Sequence, residues 1–115
     1  MALELETEQR WKLAQNALKE VTGKQVDLQV ALFLIGVQEL GQGVKNFSKE
    51  EKQDLMHIAT CRLLSPLGYY NLLGQDADGW PIWEANQQLP FLAMPEQDKL
   101  LKTCVADYLE EHGMI

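Results

Sequence analysis

The sequence predicts a small, mostly α domain: four helices, with a short β-hairpin or irregular aromatic loop between the third and the fourth. Three observations lead there. Apolar residues recur at three- and four-residue steps over much of the 115-residue chain, which is the spacing of one helix face. The segment Ser65–Pro95 interrupts that pattern. It holds all four prolines, four of the six Trp and Tyr residues, and the turn dipeptide Asp78-Gly79. No internal repeat, low-complexity stretch or linker breaks the chain, and its length suits one domain, so residues 1–115 are expected to form a single helical domain.

Leu3, Thr7, Trp11, Ala14, Leu18 and Val21 follow steps of four, four, three, four and three, and charged residues fill the rest of that stretch. This predicts an amphipathic helix over roughly 3–22, stopped by Thr22-Gly23. Asp27 suits the cap of a second helix over 28–40. Its middle is apolar all round, which places it at the centre of the domain as the most buried helix. Gly36 inside it costs about 1 kcal/mol against alanine, and close helix crossing is the plain explanation. Ser48 to Glu51 reads SKEE, a capping box in which hydroxyl and carboxylate each satisfy one free amide. A third helix then runs to about Ser65, where Pro66 ends it.

Tyr69–Gln75 and Trp80–Glu84 flank Asp76-Ala77-Asp78-Gly79, the pattern of a hairpin. Pro81 limits the second strand to an edge or a very short strand. Two strands alone are marginal in water, so this hairpin must lean on the helices. In an ideal strand Trp80, Ile82 and Glu84 share one face and Pro81 and Trp83 the other, so the two tryptophans are expected to point apart. Pro95 fits the first turn of a fourth helix with the stripe Leu100, Leu101, Cys104, Val105, Tyr108 and Leu109, ended by Gly113.

The formal net charge is -7, from 17 acidic and 10 basic residues. The scattered Lys and Arg form no basic stripe, which argues against nucleic acid and against an anionic membrane surface. The balance suits a cationic partner. The longest apolar run, Val30–Val37, is too short for a bilayer span of about 20 residues. The stretch MALELETEQRW has neither the basic nor the apolar region of a secretory signal, so a cytoplasmic protein with reduced Cys61 and Cys104 is expected.

On the third helix, Leu55, Met56, Ala59 and Leu63 fall on one side, and Glu50, Asp54, His57 and Cys61 on the other. Asp54, His57 and Cys61 are the only groups placed to act as orienter, base and nucleophile. Such a face still lacks an oxyanion donor and a cleft, and a solvated or second-layer helix face is the simpler reading. Zinc would need His57 and Cys61 together with Cys104, His112 or carboxylates, without any CxxC or HxxxH spacing; no metal and no cofactor is expected. The Asp76–Gly79 stretch fails as a calcium loop, because Ala85 falls where the last acidic ligand belongs. Tyr69, Tyr70, Trp80 and Trp83 supply contact area for a ligand or partner, or pack the hairpin on the helices.

Phosphate loops, nucleophile elbows, HExxH and kinase signatures are absent. The expectation is therefore a non-enzymatic protein acting through a protein partner or through self-association; the Leu3–Val21 stripe is expected to pack either against its own domain or against a symmetry mate. A small enzyme or redox protein using the His57/Cys61 face is the alternative.

Overall fold

Local hydrogen bonds set the helix boundaries. The computed structural model describes residues 2–43, 45–86 and 94–115, with the side chains of 6–43, 45–86 and 95–115. Among them are four helices, α1 (Ala2–Thr22), α2 (Leu28–Leu40), α3 (Lys49–Leu64) and α4 (Met94–Glu111), and two strands, β1 (Tyr70–Gln75) and β2 (Pro81–Ala85). The expected mostly α fold with a hairpin between the third and fourth helices is thus the observed one. The α1 helix ends where Gly23 takes φ 72° and its amide donates to the Lys19 carbonyl, a conformation that glycine adopts without penalty. Asp27 Oδ1 accepts from the Val30 amide at 2.8 Å, so Asp27 caps α2. Both halves of the α3 capping box are present. Ser65-Pro66-Leu67 then form a single 3-10 turn.

The chain divides into two compact units, residues 1–31 with 91–115, and residues 32–90; the division falls inside α2. In the first unit, α1 packs against α4. Trp11, Ala14 and Leu18 of the expected α1 stripe are buried, as are Cys104, Val105, Tyr108 and Leu109 of the α4 stripe. That side of α1 is therefore occupied within its own chain and is not free for a symmetry mate. Two members of the stripe stand apart: Val21 is 71% exposed, and the side chain of Leu3 lies outside the described residues. Arg10 reaches Asp107 at 2.7 Å and Glu110 at 2.9 Å. Lys102 Nζ stands 5.5 Å from the centre of the Trp11 ring.

The second unit carries the hairpin. Its core joins Leu40, Phe47 and Leu55, with Phe33, Val37 and Trp80 packed against them. Phe47 meets Phe33 and Trp80 edge-on, at 6.1 and 6.5 Å between ring centres, a favourable arrangement for aromatic pairs. In α2 only Gln29, Val30 and Gln38 are exposed, in keeping with its all-round apolar middle. Gly36 is where α2 meets α3. A Cβ there would fall on the carbonyl oxygen of Leu55 and 2.9 Å from the Leu55 Cβ.

The strands pair antiparallel, with Tyr70 opposite Ala85 and Gln75 opposite Pro81. The register shifts between Leu72 and Gly74, so Leu73 is an extra, bulged residue, and Gly74 beside it takes φ 140°. Both strands contact α3. Residues 87–93 of the proline- and aromatic-rich segment, with Pro90, lie outside the described residues.

Candidate functional site: the hairpin and its cleft on α3

The capping box sets the rotational phase of α3. Ser48 Oγ accepts from the Glu51 amide at 3.1 Å, and Glu51 Oε1 accepts from the Ser48 amide at 2.9 Å. From there Glu51, Asp54 and Ile58 follow at i, i+3 and i+7, one side of the helix. The hairpin tip faces that side. Its loop is closed by the Asp76 amide donating to the Trp80 carbonyl at 2.9 Å and the Gly79 amide donating to the Asp76 carbonyl at 3.0 Å. Asp76 Oδ1 accepts from the amides of Asp78 and Trp80, both at 2.9 Å. Gln42 Nε2 donates to the Asp78 carbonyl at 2.7 Å.

Between tip and helix lies an open cleft of about 440 Å³. Glu51, Asp54, Asp76 and Asp78 line it, with His57, Ile58, Trp80 and Pro81. No Lys or Arg is among these residues. Glu51 and Asp76 are engaged in the cap and the turn. The carboxylates of Asp54 and Asp78 make no hydrogen bond or ion pair among the described residues. Among the described residues no group of His, Cys, Asp or Glu is arranged to hold a metal ion.

The three candidates for catalysis separate. Asp54 and His57 are exposed, and His57 Nε2 is 3.6 Å from Cys61 Sγ, the adjacency that i, i+4 spacing implies. Cys61, however, is fully buried. Burial pushes its thiol up to about 11, so about one in ten thousand molecules holds the thiolate at pH 7. The helical wheel places Cys61 on the polar side; the structure corrects this. In the second half of α3, Ile58, Ala59, Cys61, Leu63 and Leu64 are all buried, so burial there extends beyond the apolar side of the wheel and takes in Cys61. Cys104 is likewise buried, and desolvation followed by the nearby Asp107 charge pushes its thiol up to about 11. Both thiols are free.

Tyr69, Tyr70, Trp80 and Trp83 are all half-buried. Tyr70 meets His57 edge-on at 6.5 Å. The strand alternation from which the two tryptophans were expected to point apart does not extend to both of them. Trp80 lies in the loop, ahead of the first β2 residue, so strand alternation does not apply to it. Trp83 shares with Pro81 the half-buried face of β2, and its indole nitrogen is covered without a hydrogen-bond partner among the described residues.

Sequence reasoning missed the aliphatic residues of the hairpin. Leu72 is 57%, Leu73 61% and Ile82 41% exposed. The bulge that sets Leu73 out of register carries one weak signal, Gly74 inside a strand. No helix among the described residues is long and apolar enough to cross a membrane. No protein-family model, curated protein or solved structure matches the chain.

Proposed function

We propose that this chain is a non-enzymatic interaction protein whose contact surface is the hairpin. The observation that carries the reading is the exposure of Leu72, Leu73 and Ile82 within one small two-stranded sheet. Scattered apolar residues on a surface need no explanation; here three fall within eleven residues of one hairpin, Leu72 on the face toward α3 and Ile82, opposite Gly74, on the other, a concentration of apolar surface that a partner gripping the hairpin would cover. Among the described residues the sheet has two strands, each with an outer edge to which a further strand could be added. Support for the enzyme alternative is weak, because a buried, protonated Cys61 cannot meet substrate.

The test is a Leu72→Asp/Leu73→Asp variant compared with the parent chain. Both sites are exposed, so the fold should persist with an unchanged circular dichroism spectrum. The expected result is that an association seen with the parent, either self-association by light scattering at micromolar concentration or capture of a defined partner, is lost. A parent chain that is strictly monomeric and retains no protein beyond those the variant retains overturns the reading.

A further inference from the structure

The interaction surface has a sidedness that specifies its occupant. Leu72 pairs with Trp83, and Gln75 with Pro81. Paired residues share a sheet face, and so do residues two apart on one strand. Leu72, Trp83 and Pro81 therefore lie on one face. Tyr70 is on it too, against His57 of α3, so this is the face that meets the helix. Leu72 keeps 57% of its surface in solvent there, and Pro81 enters the cleft. An open aliphatic contact and a carboxylate-lined cleft thus sit along the same face.

We infer that this face docks a basic amphipathic segment of another protein, with an aliphatic side chain on Leu72 and a neighbouring lysine or arginine in the cleft. The inference rests on the hairpin being the contact surface and adds the chemistry of what it contacts. Charge complementarity carries it. The cleft holds four carboxylates without Lys or Arg, and among the described residues those of Asp54 and Asp78 have no hydrogen-bond or ion-pair partner. Trp80, Ile58 and Pro81 give an aliphatic stem an apolar wall, and an aromatic ring beside a cation attracts it further. Alternative occupants meet opposing charge. A second copy brings the same carboxylates on a chain of net charge -7, and like charges across an interface are costly. An anionic bilayer is repelled for the same reason.

The probe is a synthetic capped peptide alternating leucine and arginine, with a control in which glutamine replaces arginine, titrated into isotopically labelled protein by NMR. The expected result is saturable movement of the amides of Asp76–Trp80 and of the Trp80 indole with the arginine peptide, weakened by salt. The glutamine control should leave them in place. Asp54→Asn/Asp78→Asn should weaken binding about fivefold, the scale of two exposed charge contacts, and Leu72→Ser should weaken it with either Asp54 or Asn at position 54. Equal binding of both peptides at the hairpin overturns the charge assignment while leaving the hairpin as a contact surface. Shifts spread over the acidic surface without saturation, or a dimer by light scattering whose interface includes the cleft, overturn the inference outright. A parent chain that shows no association at all that Leu72→Asp/Leu73→Asp abolishes is the separate result that removes the contact surface itself.

Discussion

At the scale of single residues, Gly36 shows a sequence signal whose obvious energetic reading has the wrong sign. Helix propensity alone makes Gly36→Ala stabilising by about 1 kcal/mol. The added methyl would meet backbone of α3 at Leu55, which cannot move aside as a flexible side chain can. Overpacking of this kind costs about 1–3 kcal/mol or more. Urea denaturation should therefore show Gly36→Ala less stable by about 2 kcal/mol; a more stable variant would mean that the two helices separate readily there. The cysteines give a second expectation. Their pKa values rise from 9.0 to about 11 on folding, so the unfolded chain loses these protons first. Stability should be unaffected by the thiols below pH 9 and fall as pH climbs to 11, by about 2 kcal/mol per thiol. A Cys61→Ala/Cys104→Ala variant should have a flatter stability profile across that window, and iodoacetamide at pH 7 should label the native parent far more slowly than the denatured chain. Burial of Cys104 followed from its stripe position. Burial of Cys61 did not, because a wheel places residues relative to one neighbour, and the second half of α3 is covered on more than one side.

At the scale of elements, the boundaries were readable wherever a short-range hydrogen bond decides them. The SKEE cap, Asp27, Gly23 and Pro66 each act within four residues, and each does what its chemistry implies. Ser48→Ala should cost about 1 kcal/mol by thermal or urea unfolding, the usual worth of such a cap, and Ser48→Asp should recover most of it. The hairpin was readable in place and turn but not in register. Asp76, rather than the Asp78-Gly79 dipeptide alone, organises the loop, because one carboxylate oxygen accepts from two amides. That lengthens the loop to include Trp80, and the bulge at Leu73 then shifts the alternation of β1. Asp76→Asn keeps an acceptor oxygen and should leave the amide shifts of residues 76–80 nearly unchanged. Asp76→Ala leaves both amides without that partner and should destabilise the hairpin, seen as faster hydrogen exchange along Tyr70–Gln75.

At the scale of the whole molecule, charge was legible from composition, whereas its location was not. The four cleft carboxylates come from α3 and from the hairpin tip, more than twenty positions apart in sequence, and only the docking of the hairpin on α3 gathers them. This gathering has an energetic consequence that bears on function. Among the described residues Asp54 and Asp78 have no charged partner, on a chain of net charge -7 where each added negative charge increases self-repulsion. Groups that serve the fold lose stability when removed; groups retained for a partner do not, and binding surfaces often carry such a cost. Asp54→Asn/Asp78→Asn should therefore unfold at the same temperature as the parent or a few degrees higher at low salt. The difference should shrink as salt approaches physiological strength and screens the repulsion. A fall of several degrees would assign these carboxylates to holding the hairpin on α3, and the cleft would then be a structural seam instead of a receptor for a cation.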